Sequence, residues 1–133
     1  MKLNIIVAFR NSTYTEYVIK TLSEEGHIVH KAMYVDDILF PKHDERYDLA
    51  MIDIDFEADD RGLSLIRRCR SSQDWRSKLV IMAAIDSNYR DDMPPIDDEQ
   101  FEMFDYLMIL PRYLLSLVPD IKEAMRIAAI KRQ

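Results

Sequence analysis

An open α/β fold, a parallel sheet wound on both faces with helices, is what this sequence predicts, and three observations predict it. Five short apolar runs, at residues 3–8, 28–33, 49–54, 79–84 and 106–110, are mostly continuous instead of alternating. That is the pattern of strands covered on both faces. Segments with helical spacing lie between the runs, so the order reads βαβαβαβαβα, and right-handed crossovers between parallel strands follow. The chain has 133 residues, 48% of them hydrophobic, enough for one domain over 1–133 with its own core.

The elements follow in order. Met1-Lys2-Leu3-Asn4 opens the first strand without the long apolar stretch of a secretion signal. Thr13 and Glu16 have capping-box spacing, and Tyr14, Val18 and Leu22 recur every four residues. Gly26 stands where a left-handed residue ends a helix, so a helix is expected over 14–25. Asp36 or Asp37 then caps a short helix with Ile38, Leu39 and Phe40 as its apolar face, and Pro41 stops it. A third helix over 63–70 places Leu63, Ile66 and Arg70 on one face, with Leu65 and Cys69 nearby. Cys69 is expected to be a small buried hydrophobe, and Trp75 to cover the sheet edge. Pro94-Pro95 breaks any long helix between 87 and 105 and leaves a degenerate fourth one over 97–104. The last helix is expected over 119–131, with Pro119 in its first position and Ile121, Met125 and Ala128 as its inner stripe.

Composition narrows the function. A formal net charge of -6 argues against direct nucleic-acid binding. No apolar run approaches a membrane span, and one cysteine permits no internal disulfide. A cytoplasmic location is therefore expected. The chain has two glycines and neither GxGxxG nor GxxxxGK[ST], so a nucleotide-binding loop has little support. His27, His30 and His43 form no spaced metal set with Cys69. Acidic residues crowd the segment that holds Asp86, Asp91, Asp92, Asp97, Asp98, Glu99, Glu102 and Asp105 against Arg90 alone. The C-terminal dozen leans basic through Lys122, Arg126, Lys131 and Arg132. The plain reading of both is a solvated face; the sharper one is a pair of patches that steer a partner or a second copy.

Specific motifs carry a resemblance. Tyr47-Asp48-Leu49-Ala50-Met51-Ile52-Asp53 resembles the third strand of response-regulator receiver domains, which ends in the phosphate-accepting aspartate. Gly62-Leu63-Ser64-Leu65-Ile66-Arg67-Arg68 is similar to the family's DG-L-LL-RR helix start, and Lys78-Leu79-Val80-Ile81-Met82-Ala83-Ala84 to its fourth strand. Asp105-Tyr106-Leu107 with Pro111 resembles its DYLxKP fifth strand. The resemblance covers nearly the whole chain. It implies a flavodoxin-like five-stranded sheet of order 2-1-3-4-5 with sites at the strand C-termini, and Asp53 as the phospho-acceptor position.

The departures shape the expected function. The two acidic Mg²⁺ ligands after the first strand correspond to Ala8 and Phe9, the hydroxyl after the fourth strand to Ala83, and the lysine before the proline to Leu110. Mg²⁺ wants octahedral oxygen coordination, so Asp53 and Asp55 are weak metal candidates and no cofactor is expected. Phosphoryl transfer rests on positioning and charge neutralisation. The chain is thus expected to be an atypical, or pseudo-, receiver of two-component signalling, not an enzyme. By the same resemblance it binds a protein partner or a second copy through its last helix and fifth strand. Tyr106, Met108 and Tyr113 are candidates for an apolar centre there. Arg10, just past the lost acidic pair, could supply a guanidinium to Asp53. Two alternatives remain. One is a receiver phosphorylated on Asp53. The other rests on Asp53-Ile54-Asp55, which resembles motif I of haloacid-dehalogenase phosphatases, with Asp91-Asp92 as loose metal candidates. The carboxylates Asp55, Glu57, Asp59 and Asp60 lack EF-hand spacing, and a solvated loop is expected.

Overall fold

The computed structural model describes residues 1–41, 45–87 and 97–132. His43, Arg90, Asp91, Asp92, Pro94 and Pro95 lie outside them. The strands are β1 (Asn4–Ala8), β2 (Ile28–Lys31), β3 (Leu49–Asp53), β4 (Val80–Asp86) and β5 (Tyr106–Leu110). They form one parallel sheet of order β2-β1-β3-β4-β5, the order the resemblance implies. The helices are α1 (Ser12–Glu24), α2 (Asp36–Leu39), α3 (Arg61–Ser71), α4 (Asp98–Met103) and α5 (Leu117–Lys131).

Two cores flank the sheet because successive strand residues point to opposite faces. Ile6, Ala8, Ala50, Ile52, Ile81 and Ala83 pack beneath α2, α3 and α4 through Ile38, Leu65, Ile66, Cys69 and Met103. Ile5, Val7, Leu49, Met51, Met82 and Met108 pack against α1 and α5 through Val18, Leu22, Leu117, Ile121 and Ala124. β3 and β4 are buried along their whole length, which explains their continuous apolar runs.

Local chemistry moves several boundaries. The cap of α1 is Asn11, whose Oδ1 accepts from the Tyr14 N–H at 2.9 Å, so the helix starts two residues before the expected 14 and the Thr13–Glu16 box does not form its cap. Gly26 takes φ +94 just past the helix, a left-handed backbone that glycine tolerates. α2 is a single turn with Ile38 and Leu39 buried, whereas Phe40 is exposed. α4 is short, as expected, and Asp97 and Gln100 form its capping box. α5 begins at Leu117, which makes Pro119 its third residue; a helix leaves its first N–H groups unbonded, so proline is tolerated there. Cys69 is buried, and burial pushes its thiol up to about 11. Trp75 packs on the core beside Tyr47, ring centroids 6.0 Å apart. His27 Nδ1 accepts from the Leu3 N–H, and His30 Nε2 meets Asn4 Oδ1.

Candidate functional site

Parallel strands bring their C-terminal ends to one edge, and β3 delivers Asp53 there. The residue is fully buried. Its Oδ1 accepts from the Asp55 N–H at 2.9 Å, while Oδ2 is buried with no hydrogen-bond partner among the described residues. Burial pushes the carboxyl up from its ordinary 3.8 to about 6. The backbone N–H groups of Asp55 and Arg10 pull the other way, and the carboxylates of Asp55 and Asp86 push it further up.

Asp55 and Asp86 are buried as well. Asp55 Oδ1 accepts from the Asp60 N–H at 2.8 Å, which closes the β3–α3 loop. Two residues of that loop without glycine's freedom, Glu57 at φ 69 and Asp60 at φ 58, take left-handed backbone. Gly62 is required where the loop returns. A Cβ there would sit 1.8 Å from the Asp53 carbonyl oxygen, and the Leu63 N–H donates to the Ile54 carbonyl at 3.0 Å. The glycine of the motif thus lets α3 close on the end of β3.

The positions singled out beside Asp53 are apolar and buried. Ala8 ends β1, Phe9 follows it, and the two belong to opposite cores. Leu110 ends β5, is buried, and precedes a cis peptide bond to Pro111. On β4, Ala84 is the register partner of Asp53, and Ala83 pairs with Ile52 and turns to the α3 side. Both are alanines, so neither supplies a hydroxyl. The Arg10 guanidinium forms an ion pair with Asp59 at 3.6 Å, and Arg10 acts on Asp53 through its backbone N–H. Among the described residues, no group of three or more His, Cys, Asp or Glu is placed to hold a metal ion.

Asp86 is the site residue that sequence reading missed. By sequence it belongs to an acidic segment with a solvated face, yet β4 runs two residues past the expected 84 and carries it into the interior. Asp105 is buried too. It pairs with Arg70 at 3.0 Å and Arg132 at 3.1 Å, stands 4.0 Å from Lys131, and accepts from the Ile81 N–H. Lys131 also donates to the Phe104 carbonyl, and Arg126 pairs with Glu123. Three of the C-terminal cations therefore have partners within the chain. Arg112 and Asp120 form a further pair, and the Tyr106 hydroxyl donates to the same Asp120 carboxylate at 2.8 Å.

No protein-family model matches the sequence, and neither does any curated protein. Solved structures do match in fold. An orphan response regulator of H. pylori, HP1043, is 20% identical with a TM-score of 0.70, over 93% of this chain and 95% of that one. A CheY-like receiver domain protein from Methanospirillum hungatei is 16% identical with a TM-score of 0.72, over 98% and 99%. NtrX from Brucella abortus, in complex with ADP, is 20% identical with a TM-score of 0.76 over 99% of this chain; the chain spans 28% of the NtrX chain. The fold is that of response-regulator receiver domains. Among the described residues no helix is long and apolar enough to cross a membrane.

Proposed function

We propose that this chain is a receiver-type signalling module that acts by binding another protein, without substrate turnover and without the usual Mg²⁺-dependent phosphorylation of Asp53. The observation that carries the reading is the setting of Asp53. It is a buried carboxylate with one bare oxygen, beside two more buried carboxylates. Ala8, Phe9 and Leu110 fill the places where the resemblance implies metal ligands and a lysine. Bringing a phosphoryl group and Mg²⁺ there needs ligands and positive charge that these side chains lack. Any Mg²⁺ binding is expected at millimolar affinity or weaker.

The proposed contact face is the fifth strand and last helix. A shallow cavity of about 250 Å³ there is lined by Phe101, Phe104, Tyr106, Leu107, Ile127 and Lys131. Ile109 and Tyr113 are exposed, whereas Met108 is buried and cannot form the centre. Because Lys131 and Arg132 are drawn onto Asp105, association should rest on apolar contact and respond little to salt, in place of charge steering.

Intact-mass spectrometry after incubation with acetyl phosphate and Mg²⁺ tests the reading. The expected result is an unmodified chain. A phosphate adduct lost in Asp53→Asn would establish a phosphorylatable receiver instead. Turnover of an aryl phosphate, abolished in the same variant, would establish the phosphatase alternative.

A further inference from the structure

A cleft of about 370 Å³ opens where the ends of β1 and β2 meet the β3–α3 loop. Crevices beyond the strand C-termini are where open α/β sheets take ligands, and this volume suits a small one. Phe9, Phe56 and Met33 give it apolar walls, and Arg10 and Lys31 bring two cations. Ser12, also in the lining, is the first residue of the 13-residue α1, so the positive end of that helix dipole adds to the same field.

The charges are arranged so that an anion can enter. Arg10 pairs at 3.6 Å with Asp59, which is almost fully exposed, and Lys31 pairs with Glu16 at 3.0 Å on the surface. Exposed pairs of this kind contribute about 0–1 kcal/mol, so either cation can exchange its partner. Glu57, the carboxylate of the lining, is held elsewhere: Oε1 accepts from the Val35 N–H at 2.7 Å and Oε2 stands 3.3 Å from Arg61. The lining itself thus carries two cations and one carboxylate, in a chain of net charge -6.

We propose that the cleft binds a phosphate monoester carried on a flat apolar body. The phosphate takes Arg10, Lys31 and the Ser12 hydroxyl, and the body lies against Phe9 and Phe56. No bond to Asp53 is involved, so the inference stands apart from the proposed function.

Titration of the whole chain with phenyl phosphate, followed by amide chemical shifts in proton–nitrogen NMR, tests it. Saturable shifts are expected at Arg10, Ser12, Lys31 and Phe56, with an unchanged intact mass. Phenol or inorganic phosphate alone should bind about tenfold more weakly, and Lys31→Gln should weaken phenyl phosphate about tenfold, the loss of one charge-assisted bond. Glu16→Gln, which releases Lys31, should tighten it about twofold. Absence of saturable shifts at these residues would overturn the proposal, as would unchanged binding in Lys31→Gln. Equal affinity for phenol or for inorganic phosphate alone would refute the combined site.

Discussion

The two ends of the sheet each bury an aspartate, and the two have opposite surroundings. At the N-terminal end, Asp105 receives two guanidinium groups, an ammonium group at 4.0 Å and a backbone N–H. At the C-terminal end, Asp53 has the backbone N–H groups of Asp55 and Arg10, one oxygen with no hydrogen-bond partner among the described residues, and two carboxylate neighbours. Burying a charge is costly unless it is paired. Asp105 therefore acts as a clasp: Arg70 also bonds the Met103 and Leu79 carbonyls, and Arg132 bonds those of Ala128 and Leu79, so one carboxylate ties α3, β4, β5 and α5 together. Asp53 ties nothing comparable. Its surroundings are those of a site whose counter-charges are missing, which is the physical basis for proposing a receiver fold without receiver chemistry.

The largest effect expected from breaking this contrast is at the clasp. Asp105→Ala leaves Arg70 and Arg132 without their carboxylate and should cost about 3 kcal/mol, the low end for a broken buried pair because both cations are partly exposed. Urea unfolding would measure it; a loss below about 1 kcal/mol would show that the carbonyls alone hold the arginines.

The opposite sign is expected at Asp53. Its folded value of about 6 lies above its ordinary 3.8. Below about pH 3 both folded and unfolded chains hold the proton, and the residue costs nothing. As pH rises toward 6 the unfolded chain releases the proton first, so stability falls, and above about pH 7 the loss is complete at about 2–3 kcal/mol. Asp53→Asn should recover that amount at pH 8 and nothing at pH 3. A gain independent of pH would assign the effect to packing.

The smallest effect is expected at the rim of the clasp. Lys131 is 4.0 Å from Asp105 and about a third exposed, so Lys131→Met should change stability by less than about 1 kcal/mol. A larger loss would make the ammonium an equal member of the cluster.

The sheet and the place of Asp53 were legible in the sequence because both depend on local patterns. Continuous apolar runs mark β3 and β4, and an aspartate at the end of such a run lands at the strand C-terminus. Gly62 was legible as a motif, and its reason, the close approach of α3 to the Asp53 carbonyl, needed coordinates. The charge pairings were not legible. Arg70 lies 35 residues from Asp105, and Arg132 lies 27 from it, so topology sets those contacts and helical periodicity says nothing about them. For the same reason Asp86 and Asp105 read as parts of an acidic surface although both are buried. Asn11 was passed over because the Thr13–Glu16 spacing imitates a cap two residues later.

The carbon-13 shift of the Asp53 carboxyl, followed by NMR through a pH titration of the folded chain, reports most directly on a buried aspartate left without counter-charge. A midpoint near 6 is expected. A midpoint at or below the ordinary carboxylate value, about 4, would mean that Asp53 has a cationic partner after all, or a donor on its second oxygen, and would contradict the contrast between the two ends of the sheet.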